Sequence, residues 1–293
     1  MADPDARLTL LLSLADDELV IGHRHSQWTG WAPYLEEDLA FSSIAQDELA
    51  HARLLYRLAR EAGLTDRDED ALALGREPHE YRNAVLCERP NGDWGYTIAR
   101  QYLYDTADAL RLQALSSSSW RELAEAARLM LLEERYHVDH ARAWFDRLAN
   151  GPSLTARGRL AQGLSAAVGD ALGLFEPLPG EEELVAQGVL PRPNEDLLAQ
   201  WLEELGRTLE AASLDYVLER HAEAGEMVPT GSGEIPEAGE ALSPPGVVYR
   251  DGRWVHEGGF TGPGGRRGRH SEEFVALWEE MTGLYRAHPG ARW

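Results

Sequence analysis

The chain has 293 residues, of which 43% are hydrophobic, so it is long enough to bury a sizeable core. Its net charge of −22 argues against general binding to nucleic acid or to an anionic membrane. The sequence contains no lysine, which excludes a Schiff-base or Walker lysine, and its single cysteine excludes an internal disulfide and a cysteine zinc site. No basic leader or long apolar run is present, so we expect a soluble, cytoplasmic protein.

Four amphipathic segments dominate the first half of the chain. They cover residues 4–27, 33–63, 93–115 and 120–148, with turn residues between them. Short turns join the first segment to the second and the third to the fourth, whereas residues 64–90 form a long, charged connection that we expect to connect rather than pack. Two helical hairpins joined by one long crossover are typical of a ferritin-like four-helix bundle, so the predicted fold class is all-α.

The second half predicts additional helices and one irregular segment. Residues 153–175, 195–223 and 271–287 have helical patterns. Residues 224–270 are rich in Gly, Pro and Arg, and we expect an ordered loop or arm there rather than a small hairpin around 247–255. This pattern predicts three parts: the bundle with its extra helices (1–223), the loop or arm (224–270) and a C-terminal helix packed on the bundle (271–293).

Two Glu-x-x-His pairs are the main chemical signal. Glu48 and His51 lie in the second segment, and Glu134 and His137 lie in the fourth. The spacing places both side chains of each pair on one helix face, within the apolar stripe. A buried carboxylate or imidazole is costly unless it is paired or bound to a metal, so the pairs predict a polar centre in the bundle.

The other two helices offer the remaining carboxylates of a dinuclear site. Asp105 lies on the apolar stripe of the third segment, and Glu18 fits the first segment's stripe better than its neighbours Asp16 and Asp17. The resulting set could hold two divalent irons or manganeses with positions open for dioxygen: Glu18, Glu48, His51, Asp105, Glu134 and His137. A metal-free polar core is the alternative, because Asp105 is short and Glu133 and His140 compete with the second pair.

Several other residues receive simpler interpretations. We expect His23 and His25 to be cap or surface residues, and Cys87 to be a small buried hydrophobe. The remaining histidines outside the pairs are expected to face solvent: His79, His221, His256, His270 and His288. The cation-rich region is either a solvated loop or a contact for an acidic partner or a phosphate: Arg250, Arg253, Arg266, Arg267 and Arg269. Trp28, Trp31 and Tyr34 either fill part of the core or anchor an interface with another protein.

Several motifs resemble those of the phenylacetate-catabolic family, and in particular its C-type subunits. They are, in one-letter code, the WxGxAPxLExDLA run from Trp28, NGDW from Asn91, TIARQY from Thr97 with Asp105, RYH from Arg135, GGRRGRH from Gly264 and PGxxW from Pro289. The resemblance covers nearly the whole chain, except for residues 225–257, which look like an insertion.

The resemblance implies a role in a multicomponent phenylacetyl-CoA ring-1,2-epoxidase. In that family a catalytic A-type subunit carries the di-iron site, a reductase subunit supplies electrons from NADPH, and the C-type subunit is a metal-free structural partner. This chain departs from that pattern because it keeps both Glu-x-x-His pairs. It is therefore interpreted as a structural subunit of such a complex or as a di-iron oxygenase itself, and a homodimer in isolation stays open.

Overall fold

The computed structural model describes residues 5–214, 217–218, 246–257 and 264–291. Within these ranges the chain forms ten α-helices and one two-stranded sheet. In chain order the elements are α1 (Ala6–Ser26), α2 (Leu35–Glu61), α3 (Glu69–Leu74), α4 (Val85–Glu88), α5 (Trp94–Leu115), α6 (Arg121–Asn150), α7 (Leu154–Ala171), α8 (Glu181–Ala186), α9 (Asn194–Ala211), β1 (Val247–Arg250), β2 (Arg253–His256) and α10 (Glu272–Ala287).

The four long helices α1, α2, α5 and α6 form the expected bundle. α1 packs along α2, and α5 packs along α6, so the two helices of each predicted hairpin lie side by side. Asp5 and Asp93 cap the first turns of α1 and α5 by accepting backbone hydrogen bonds from Arg7 and Tyr96. The predicted all-α, ferritin-like class is confirmed, with helix boundaries within about two residues of the sequence pattern.

The long crossover packs against the bundle, contrary to the expectation that residues 64–90 only connect. Leu72, Tyr81, Leu86 and Cys87 are all buried there. α4 lies against α1 and α7, so this part of the crossover is packed on two helices. The sequence pattern did not predict this packing, because the segment is highly charged and its apolar residues lie in short elements instead of one amphipathic stripe.

α7 crosses α5 at a point where two glycines meet. A Cβ atom built on Gly163 would lie 2.7 Å from the Cα of Tyr96, and one built on Gly95 would lie 2.8 Å from the backbone carbon of Arg159. The two helix backbones therefore approach more closely than side chains would allow. This crossing, together with α9, covers the side of α5 that faces away from the bundle core.

The C-terminal part departs from the sequence expectations at two places. β1 and β2 form an antiparallel hairpin, with Val248 opposite Val255, where a loop or arm was expected. Trp254 is buried against Gly206 of α9, and this contact gives the hairpin an apolar anchor. The helix expected over 195–223 ends at Ala211, and its predicted end lies partly outside the described residues.

The helices that the structure describes include none that is both long enough and apolar enough to cross a membrane. His221 and most of the predicted insertion at 225–257 lie outside the described residues.

Candidate functional site

The six residues singled out by spacing converge in the interior of the bundle. All of them are at most 3% exposed. They come one from α1, two from α2, one from α5 and two from α6, so every bundle helix contributes: Glu18, Glu48, His51, Asp105, Glu134 and His137. The apolar stripe that positions each helix against the core also carries these polar groups inward.

His51 connects two acids on opposite sides of its ring. Its Nδ1 lies 3.4 Å from Glu18, inside the bundle, and its Nε2 lies 2.7 Å from Glu133, at the surface. Burial alone would lower the pKa of His51, but the contacts with Glu18 and Glu133 outweigh it and raise the pKa to about 9. The His51 ring therefore keeps its second proton to a higher pH than a free histidine does.

His137 has the same two-sided arrangement. Its Nδ1 lies 3.0 Å from Glu134 of its own pair, and its Nε2 lies 3.4 Å from Asp47 on α2. Burial opposes the charged ring, but the hydrogen bonds to Asp47 and Glu134 raise the pKa of His137 well above that of a free histidine. In both pairs, Nδ1 thus faces the interior and Nε2 faces a carboxylate nearer the surface.

Glu48 has a partner that the sequence analysis assigned to a cap or the surface. The Nδ1 atom of His25 lies 3.0 Å from a Glu48 oxygen, and His25 is fully buried. The expectation for His25 was wrong because this residue lies seven positions after Glu18, on the same face of α1. That spacing was the available signal, and it places a third imidazole beside the acids.

Asp105 and Asp108 of α5 complete the acidic cluster, and Asp108 was not foreseen. Neither Asp105 oxygen has a hydrogen-bond partner in the described part of the chain. Burial, followed by the nearby charges of Glu134 and Glu48, raises the pKa of Asp105 well above its usual range. Asp108 contacts Arg111 at 2.6 Å, so its charge is partly compensated.

The three acids of α1 differ in their partners. Asp16 pairs with Arg76 and accepts a hydrogen bond from Tyr56, while Asp17 pairs with Arg111 and Arg266. Glu18, by contrast, faces His51 and the cluster. Burial and Asp108 raise the pKa of Glu18, whereas the two arginines outweigh burial and lower the pKa of Asp17.

Two expectations about the C-terminal segment were wrong. Arg266 is 2% exposed and bonds Asp17 inside the molecule, so it is not available to an external acidic partner or phosphate. His270 was expected to face solvent, but its ring is nearly buried and its Nδ1 lies 3.0 Å from Glu88. Cys87 is buried, as expected.

The donor set fits a divalent metal in chemical type, although not in its present arrangement. Buried atoms without a hydrogen-bond partner among the described residues include Glu18 Oε2, Glu48 Oε1, both Asp105 oxygens, Glu134 Oε1 and His51 Nδ1. Carboxylate oxygens and imidazole nitrogens are the donors that iron and manganese use. No three such groups in the described chain already surround a common metal position, because the acids pair with histidines instead.

Comparison with known proteins gives a consistent result. Residues 2–227 match the family described as phenylacetic acid catabolic protein. The chain is also 30% identical over 283 residues to the C-type subunit of the 1,2-phenylacetyl-CoA epoxidase of Escherichia coli (strain K12). That alignment covers 96% of this chain and 97% of the relative, so the similarity includes the bundle and the C-terminal elements.

Proposed function

Because the chain belongs to the phenylacetic acid catabolic protein family, we propose that it is an accessory, structural subunit of a multicomponent phenylacetyl-CoA 1,2-epoxidase. Its partners would be a catalytic di-iron subunit with the same bundle and a reductase subunit. The observation that carries this proposal is the end-to-end similarity to the C-type subunit of that enzyme. The complex would oxidise the aromatic ring of phenylacetyl-CoA, and this chain would support the catalytic chain.

The histidine contacts of the buried cluster support the structural role. Each acid of the two Glu-x-x-His pairs faces a histidine: Glu134 contacts His137, whose pKa is raised, and Glu48 contacts His25, whose pKa is lowered by burial. A charged His137 offsets much of the cost of burying Glu134, and a hydrogen bond from the His25 ring satisfies one oxygen of Glu48. The cluster can therefore persist as a polar core without metal, which is what a supporting subunit requires.

A second candidate function is that the chain is itself a di-iron oxygenase. Buried oxygens of Glu18, Asp105 and Glu134 that accept no hydrogen bond from the described residues favour it, because a bound cation would satisfy them. The two metals would be held by Glu18, Glu48, His51, Asp105, Glu134 and His137, and when bound they would supply reduction of dioxygen. Glu133 and Asp47 would fix the orientation of the two histidine rings through Nε2.

One double substitution separates the two functions. Glu48→Gln with Glu134→Gln keeps the side-chain shape but removes one carboxylate from each pair. We expect the reconstituted epoxidase complex to keep its activity within about twofold, and iron per chain to be near zero in both wild type and variant. The measurements are metal analysis of chains expressed with added iron and turnover of phenylacetyl-CoA by the assembled complex.

The opposite result would identify the enzyme. If the wild-type chain carries two metals that the variant loses, and turnover is lost with them, the structural proposal fails and the di-iron proposal stands. Glu125→Gln serves as the control because Glu125 is an exposed residue of the same helix as Glu134. Unfolding curves of all three proteins establish that a lost activity does not come from a lost fold.

A further inference from the structure

The outer side of the α2–α6 pair carries large apolar side chains that the described residues do not cover. Seven of them are between 49% and 81% exposed: Trp31, Tyr34, Leu35, Leu39, Leu129, Leu132 and Tyr136. We call these seven residues the α2–α6 face. Isolated exposed leucines are common on proteins, but a contiguous group of this size marks an interaction site.

The seven side chains form one surface because of helical spacing and cross-helix contacts. Leu129, Leu132 and Tyr136 follow one another at three and four residues, which places them on one side of α6. The Tyr34 ring stacks on Trp144 of α6 with centroids 6.3 Å apart. Further along the seam, Tyr136 lies beside His140, and His140 bonds Glu37 of α2.

α6 carries a second apolar stripe in addition to the one that packs in the bundle. Its inner stripe includes Leu123, Met130 and Phe145, all of them buried. A helix that needs only to close a bundle requires one such stripe, with polar residues opposite. The outer stripe of Leu129, Leu132 and Tyr136 therefore indicates that a second body packs against α6.

The two helices of the face differ in charge. The exposed side of α6 balances Arg121, Arg128, Arg135, Arg142 and Arg147 against Glu122, Glu125, Glu133, Asp139 and Asp146. The first turn of α2 carries Glu36, Glu37 and Asp38, so the face keeps a net negative charge in a protein of net charge −22. Two copies of the chain would therefore bring like charges together across this face, whereas a different subunit with a neutral or basic apolar surface would not.

The size of the face is sufficient for a stable contact. Seven large side chains, each exposed by about half or more, present roughly 700 Å² of surface, close to the ~800 Å² per partner of a standard interface. Ser43 and Ala50 are exposed small residues on α2, so a partner helix can approach that helix closely. Aromatic residues at such a site are typical of binding hot spots.

We propose that the α2–α6 face is the docking surface for the catalytic partner, a different helical subunit that contributes an apolar face without excess negative charge. This inference rests on the proposed function. The docked partner would lie directly above the buried acids, because Glu133 and Asp47 at this seam bond His51 and His137. The contact would then exclude water from the two outer carboxylates of the cluster.

The test uses the full chain and the purified catalytic subunit of the same complex. Leu39→Asp places a charge on the α2 side of the face and Leu132→Asp places one on the α6 side, and we expect each to raise the Kd for the partner by about 100-fold. Leu284→Asp is the matched control, since Leu284 is 60% exposed on α10, which packs on α3 and α4. It should bind like the wild type, and thermal unfolding should confirm that all variants fold.

Three results would overturn the inference, and they are distinguishable. If wild-type chain and partner do not bind at all, the proposed function fails as well. If the partner binds the two face variants as tightly as the wild type, the docking surface alone is wrong. If sedimentation of the chain by itself shows a dimer that Leu132→Asp dissociates while partner binding is unchanged, the face belongs to a second copy.

Discussion

At the scale of single residues, the buried cluster takes up protons when the chain folds. Burial raises the pKa of Glu18 and Glu134. The contacts of His51 with Glu18 and Glu133 raise the pKa of His51 to about 9. Carboxyls with raised pKa values favour folding in their protonated form, and a histidine with a raised pKa favours folding in its charged form. Both effects have the same sign, so each supplies stability that is lost as pH rises.

The metal-free chain should therefore be less stable in mild alkali than in mild acid. The histidine contribution is complete below the unfolded pKa of about 6.5 and is lost as pH rises through 9, and the Glu18 contribution is lost between about pH 4.5 and pH 8. We expect the thermal midpoint, measured after chelation, to fall by roughly 5 °C between about pH 6 and pH 9.

The control for this pH dependence removes one titrating group. Glu18→Gln keeps a neutral side chain at every pH, so the variant should show a smaller fall over the same range. Glu125→Gln, at an exposed position of α6, should behave like the wild type. A midpoint that rises between pH 6 and pH 9 would show that the cluster is mostly ionised carboxylate in the folded chain.

Residue types and spacing predicted the inner members of the cluster but not their partners. Glu48, His51, Glu134 and His137 were found because each pair lies within one helix turn. Glu133 and Asp47 were missed as partners because their bonds to His51 and His137 join different helices. The contact between Asp17 and Arg266 spans most of the chain, and no local pattern marks it.

At the scale of elements, the bundle helices were predictable because their stripes repeat over five or more turns. α1, α2, α5 and α6 each match the sequence pattern closely. β1 and β2 have four residues each, which is too short for a reliable alternation, and their burial depends on α9. Short elements are thus specified by what they pack against rather than by their own pattern.

The α5–α7 crossing gives a prediction at this scale. Gly163→Ala would place a methyl group 2.7 Å from the Tyr96 Cα and 2.9 Å from the Gly95 carbonyl oxygen, and backbone atoms cannot move aside cheaply. We expect the free energy of unfolding to fall by about 1–3 kcal/mol, the usual cost of overpacking. Urea denaturation measures it.

The same helix offers matched controls for that substitution. Gly158 and Gly169 also lie in α7, and a Cβ atom at either position has no neighbour within 4 Å. Gly158→Ala should raise the unfolding free energy by about 0.5–1 kcal/mol, because alanine favours a helix over glycine. Equal effects of Gly158→Ala and Gly163→Ala would mean that helix propensity, and not the close crossing, sets the stability.

At the scale of the whole molecule, Arg266 joins the C-terminal segment to the centre of the bundle. Its guanidinium donates to both oxygens of Asp17 and to the carbonyls of Ser13, Arg82 and Leu174. Arg111 also bonds Asp17 and continues to Asp108 beside the acidic cluster. A residue near the end of the chain thereby balances charge next to the candidate site.

Removing this arginine should destabilise the whole fold. Arg266→Met leaves Asp17 buried with one cation instead of two, and breaking a buried ion pair typically costs about 3–5 kcal/mol of unfolding free energy. Arg266→Lys should recover only part of that loss, because an ammonium cannot reproduce the planar set of donors. Arg269→Met is the control, since Arg269 is an exposed residue of the same segment, and it should change stability by less than about 0.5 kcal/mol.

The acid side of the stability curve distinguishes the ion pair from simple packing. Arg266 and Arg111 hold the pKa of Asp17 below its ordinary value despite burial, so the wild type loses this stabilisation as pH falls through the acidic range. Without Arg266 that pKa rises, and the variant should lose less stability on acidification than the wild type does. Parallel acid curves for wild type and Arg266→Met would show that the arginine acts through its apolar stem, which would leave the charge balance to Arg111.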